Sequence, residues 1–71
     1  MRGYADDSGE LTGRMRDVLA CAASGKSVAE TAGELHVAVA TVKVIRSAAL
    51  ARLGARNVVE AVAIVVRRGD L

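Results

Sequence analysis

Two segments, Ser27-Val28-Ala29-Glu30 and Asn57-Val58-Val59-Glu60, constrain this chain more than any others. Each places a short polar side chain three residues ahead of a glutamate. In that spacing the first side chain accepts from the backbone N–H at the glutamate, and the carboxylate reaches back to the first residue. Each segment therefore starts a helix. Glycine, which adopts positive φ without steric cost, supplies the stops at Ser24-Gly25, Gly54 and Gly69. The spacing of starts and stops predicts a helix of about two turns after Ser27. A turn through His36 and Val37 leads to a longer helix, from about Ala38 to Leu53. Upstream, Thr12 is a suitable N-cap, with Leu11 just ahead and Met15, Val18, Leu19 and Ala22 recurring at three and four residues. The last helix runs from Asn57 to Gly69, with Arg67 and Arg68 where cations meet the negative end of the helix dipole. No strand alternation or hairpin signal competes, so the expected fold is all-α with four helices.

Composition narrows function mainly by exclusion. The 71 residues are 52% apolar and 25% charged, with no proline, which suits a single folded helical domain rather than a disordered chain. Tyr4 is the one aromatic, so a stacking platform for single-stranded nucleic acid is excluded. No apolar run approaches the roughly 20 residues of a membrane span, and no export signal opens the chain; a cytoplasmic location is expected. Cys21 in "VLACAA" reads as a small core residue. His36, a lone histidine, reads as a helix-end residue rather than a metal ligand. No nucleophile is paired with a base, and "ASGKS" at Ala23 to Ser27 lacks the first glycine and preceding strand of a phosphate loop. Neither an enzyme nor a cofactor is expected.

Residues 1–10, "MRGYADDSGE", are polar and glycine-bearing and read as a flexible arm ahead of a domain over 11–71. Met1 fits a complete chain, in which about ten residues precede Leu11 and leave no room for a sensing domain. The net charge of +2 is small, but its distribution is uneven. Between Leu35 and Val59 stand Lys43, Arg46, Arg52 and Arg56 with no acid, whereas Asp6, Asp7 and Glu10 lie before the first helix and Glu30 and Glu34 on the second. The basic segment is the third helix. A short helix, a turn and a longer basic helix make a helix-turn-helix, whose second member enters the major groove of DNA. At about 100° per residue, that helix turns Val42, Ile45, Ala49 and Leu53 inward and Ala40, Lys43, Val44, Ser47, Ala48 and Ala51 outward.

In "LTGRMRDVL", "ASGKSVAETAGEL", "TVK", "RLGARN" and "EAVAIVVRRGDL", in that order, the chain resembles the DNA-binding domains of LuxR/FixJ/GerE-type transcription factors. The resemblance implies four helices, the third reading double-stranded DNA and the fourth making a parallel dimer contact. It further implies that Lys43 and Val44 touch base edges or nearby phosphates, that Thr41 contacts the backbone and that Ser47 takes a further reading position. Arg46 and Arg52 complete the expected DNA-binding set, Arg46 either reaching outward to phosphate or pairing with Glu34 or Glu30. The family usually has Glu at Met15, Ser at Ala38, His at Ile45 and a basic residue at Val58, so polar positions have become apolar here. Fewer phosphate contacts imply weaker binding than in a typical relative.

The fourth helix carries too many aliphatics for one inward stripe. A dimer contact through Val58, Val62, Val65 and Val66 is the expected use, in a homodimer or a heterodimer with a related regulator; the alternative is that the N-terminal arm covers the excess. A Val65→Glu change is accordingly expected to leave a folded monomer. The apolar outward face of the third helix keeps a second function open, that of an adaptor or antagonist which binds a transcription factor or the transcription machinery through the same scaffold.

Overall fold

The computed structural model describes residues 10–71. The arm expected over residues 1–10 lies outside the described residues, apart from Glu10. Four helices follow: α1 (Gly13–Ala23), α2 (Val28–Leu35), α3 (Val39–Leu53) and α4 (Val58–Arg68).

Three of the four starts are held by a side chain. Thr12 Oγ1 accepts from the Met15 N–H at 3.2 Å, but Met15, standing where a capping glutamate would, is buried in the core instead. At α2 the reciprocal box is complete: Ser27 Oγ accepts from the Glu30 N–H at 3.0 Å, and Glu30 Oε1 accepts from the Ser27 N–H at 2.8 Å. The box expected at Asn57 forms only by half. Asn57 Oδ1 accepts from the Glu60 N–H at 2.8 Å, whereas the Glu60 carboxylate takes the N–H of Arg56 at 2.6 Å, one residue earlier. The Arg56 guanidinium lies against the same carboxylate and draws it there. α3 has no side-chain cap, since Ala38 carries no acceptor.

All four helices close alike, with an N–H bonding the carbonyl five residues back: Lys26 to Cys21, Val37 to Ala32, Ala55 to Leu50 and Asp70 to Val65, each within 3.0 Å. This closure requires one residue at positive φ just after the helix. Gly25, Gly54 and Gly69 supply three of them, and His36, at φ 59°, the fourth.

The core has two parts. Leu11, Met15, Leu19, Ala49, Ala61 and Val65 join α1, the C-terminal half of α3 and α4. Val18, Ala32 and Val42 join α1, α2 and the N-terminal half of α3. Ile45 packs against both, so α3, like α1, spans the two parts of the core. Small side chains at Ala32, Ala49 and Ala61 let backbones approach closely. Thr31, buried on α2, satisfies its hydroxyl by donating to the Ser27 carbonyl at 2.9 Å. Cys21 is a buried free thiol. No described helix is long and apolar enough to cross a membrane, and no group of three metal-ligating side chains stands together among the described residues.

Candidate nucleic-acid interface

Burial of Val42 and Ala49 fixes the rotation of α3 about its axis. The opposite face consists of Ala40, Thr41, Lys43, Val44, Ser47, Ala48 and Ala51, all exposed. At about 100° per residue, Lys43 borders this face on one side and Thr41 on the other. Between them stand Ser47, Ala40, Ala51, Val44 and Ala48, so the centre of the face has one hydroxyl and no charge. Val44 is its most exposed large aliphatic side chain, at 68%, whereas Val39, 41% exposed, lies outside the face beyond Lys43.

The structure thus brings Thr41, Lys43, Val44 and Ser47 onto one surface and sets Arg46 and Arg52 on its flanks. Arg46 is half-buried at a groove of about 330 Å³, which it lines with Lys26, Val28, Val42 and Val58. The expected pairing of Arg46 with Glu34 or Glu30 does not form. Glu34 instead meets Lys26 at 3.5 Å, and the Glu30 carboxylate is occupied by its cap. Hydrogen bonds from the Ser27 backbone and then its side chain, with Lys26 nearby, hold that carboxyl below its ordinary value. The stabilisation this confers is present above the unfolded-state value and is lost as pH falls through the lowered one. Arg52 has a structural duty. Its Nη1 donates to the Glu10 carbonyl at 2.7 Å, tying the entry to α1 onto the C-terminal half of α3.

Lys43 and Arg46 make no hydrogen bond or ion pair among the described residues, unlike Lys26, Arg56 and Arg68, which are paired with Glu34, Glu60 and Asp70. No acid stands on α3. The local field of this helix is therefore positive, and Lys43 and Arg46 have no partner among the described residues to give up on binding an anion.

α4 presents a second surface. Val59, 76% exposed, and Val66, 55% exposed, lie seven residues apart on one face, with exposed Ala63 between them. Val58 and Val62, both expected at a partner contact, are half-buried against the core, and Val65 is fully buried. Val65 is therefore corrected from a partner-facing residue to a core residue: it lies four residues after Ala61, on the same inward face. Val59 was missed by sequence reasoning, although the phase set by Ala61 and Val65 puts it outward.

The family of bacterial regulatory proteins designated GerE, or luxR, matches residues 9–65 of the chain. No individual curated protein matches it.

Proposed function

The chain belongs to the luxR family of bacterial regulatory proteins, and from that premise we propose that it is a sequence-specific regulator of transcription whose α3 enters the major groove of double-stranded DNA. The observation that carries this reading is the acid-free outward face of α3, bordered by Lys43 and flanked by Arg46, both without an internal partner among the described residues. Lys43 contacts a guanine edge or a phosphate, Thr41 the backbone on the opposite edge, and Arg46 extends along its apolar neighbours to a phosphate. Val44 and Ser47 face the bases. Arg52 acts at one remove, by holding the start of α1 against α3.

A homodimer through the outward stripe of α4, centred on Val59, Ala63 and Val66 with Val62 at its border, presents two such helices to two half-sites related by a two-fold axis. A heterodimer with a related regulator uses the same stripe.

Selection from a pool of random duplexes, followed by titration of the selected site at two salt concentrations, tests the proposal. A two-fold symmetric motif is expected, with a logarithmic salt slope that grows by about 0.9 for each phosphate neutralised. Absence of enrichment removes the DNA reading. The apolar centre of the α3 face then favours the second function, an adaptor that docks on a protein of the transcription machinery.

A further inference from the structure

We propose that α3 recognises its operator through the C5 methyl groups of thymine, with Val44 as the principal contact and Ala40 and Ala48 beside it; this rests on the DNA-binding reading above. All four bases present hydrogen-bonding groups in the major groove, but of the four only thymine also presents an apolar one. The centre of the α3 face offers Ala40, Val44, Ala48 and Ala51, with Ser47 as its single polar side chain. Against the edge of a guanine or cytosine, Val44 would strip water from polar groups and return no hydrogen bond. Against a thymine methyl it buries apolar surface on apolar surface. The same side chain thus favours one base and penalises the others, which is what discrimination requires.

Local geometry suits that role. Val44 is 68% exposed and carries nothing that shields it. Its branched Cβ leaves one strongly preferred rotamer on a helix, so little freedom is lost on contact. The residues one turn before and after it are Ala40 and Ala48, both exposed. No long side chain holds the helix away from the groove floor, and a short valine can therefore reach a methyl group. Lys43, next in sequence and at the border of the face, remains available for a phosphate or a neighbouring guanine.

The test uses the 71-residue chain and a site selected from random duplexes. Each thymine of a half-site is replaced in turn by 2′-deoxyuridine, which removes the methyl and keeps the base pairing. At least one replacement in each half-site is expected to weaken binding about fourfold, the factor that accompanies one buried carbon group. In Val44→Ala most of that difference should vanish, while the helical circular dichroism stays unchanged because the side chain is exposed. Half-sites that lack thymine, or losses below about twofold at every position, overturn the methyl reading and leave DNA binding standing. A loss that persists in full in Val44→Ala assigns the effect to DNA shape and also overturns it. Failure to retain any duplex overturns the DNA reading itself.

Discussion

α3 and α4 both turn apolar residues outward, yet their outward faces differ in kind. On α4 the exposed aliphatics are valines at one helical phase, Val59 and Val66 with Ala63 between, and the nearby cations Arg67 and Arg68 are gathered in the last turn. On α3 the centre of the outward face is mostly alanine, and the cations Lys43 and Arg46 lie along the helix beside it. A stripe of bulky aliphatics is complementary to another such stripe, because each buries the other. A flat alanine face bordered by cations is complementary to something narrow, polyanionic and only locally apolar. The groove of a DNA duplex meets that description. Two helices with similar overall hydrophobicity are thus suited to different partners by side-chain size and the placement of charge.

The comparison is sharpest on α4, where adjacent valines should behave oppositely. Val65 is fully buried in the cluster with Leu19, Ala49 and Ala61. Val65→Glu places a carboxylate there with no partner, at a cost of about 4 kcal/mol or more, a large part of the stability of a small domain. We expect loss of the helical signal at ordinary temperature, measured by circular dichroism. Val66→Glu, one residue on and 55% exposed, should keep its melting behaviour and lose the dimer, as read by sedimentation. A folded Val65→Glu protein would mean that α4 is rotated so that Val65 faces outward. A Val66→Glu protein of unchanged mass would remove the α4 dimer.

That contrast also shows why part of the molecule was legible from sequence and part was not. Helix starts at Thr12, Ser27 and Asn57 depend on side chains and backbone groups three residues apart, so local sequence decides them. The outward set of α3 was legible because alternation of Val42, Ile45 and Ala49 with smaller or polar residues fixes one phase. α4 has no such signal: Val58, Val59, Val62, Ile64, Val65 and Val66 surround the helix, and only packing against α1 and α3 selects Ala61 and Val65 as the inner pair. Two further features had no local signature. Arg52 bonds a carbonyl 42 residues away. His36 takes positive φ where glycine would be expected, because Leu35 and Val37 on either side pack into the core around Val42.

On α3 the charged border should matter for binding and not for folding. Lys43 is exposed and makes no hydrogen bond or ion pair among the described residues. Lys43→Ala should therefore leave thermal stability within about 0.5 kcal/mol of the parent. Affinity for the selected duplex should fall by about 1–3 kcal/mol if Lys43 reads a guanine. If it meets a phosphate instead, the loss should be nearly uniform across duplex sequences and the salt slope should drop by about 0.9. Fluorescence anisotropy at two salt concentrations separates these outcomes. No change in either would detach the positive border of α3 from DNA binding.

The smallest expected effect concerns how the two helices begin. Asn57 Oδ1 holds the first turn of α4 through the Glu60 N–H, whereas Ala38 offers α3 nothing. Asn57→Ala should cost about 1 kcal/mol. Ala38→Ser should gain up to about that much, because the backbone at Ala38, φ −73° and ψ 153°, already matches Ser27 at −72° and 168° and Thr12 at −73° and 167°. The new hydroxyl then reaches the Thr41 N–H without rearrangement. Urea denaturation of both variants measures the two changes on one scale. If Ala38→Ser gains stability and also tightens binding to the selected duplex, part of α3's affinity is being lost to fraying of its first turn, the turn that holds Ala40 and Thr41. A gain in stability with unchanged affinity would mean that this turn is already ordered by the packing of Val42, and that the missing cap costs the fold without costing recognition.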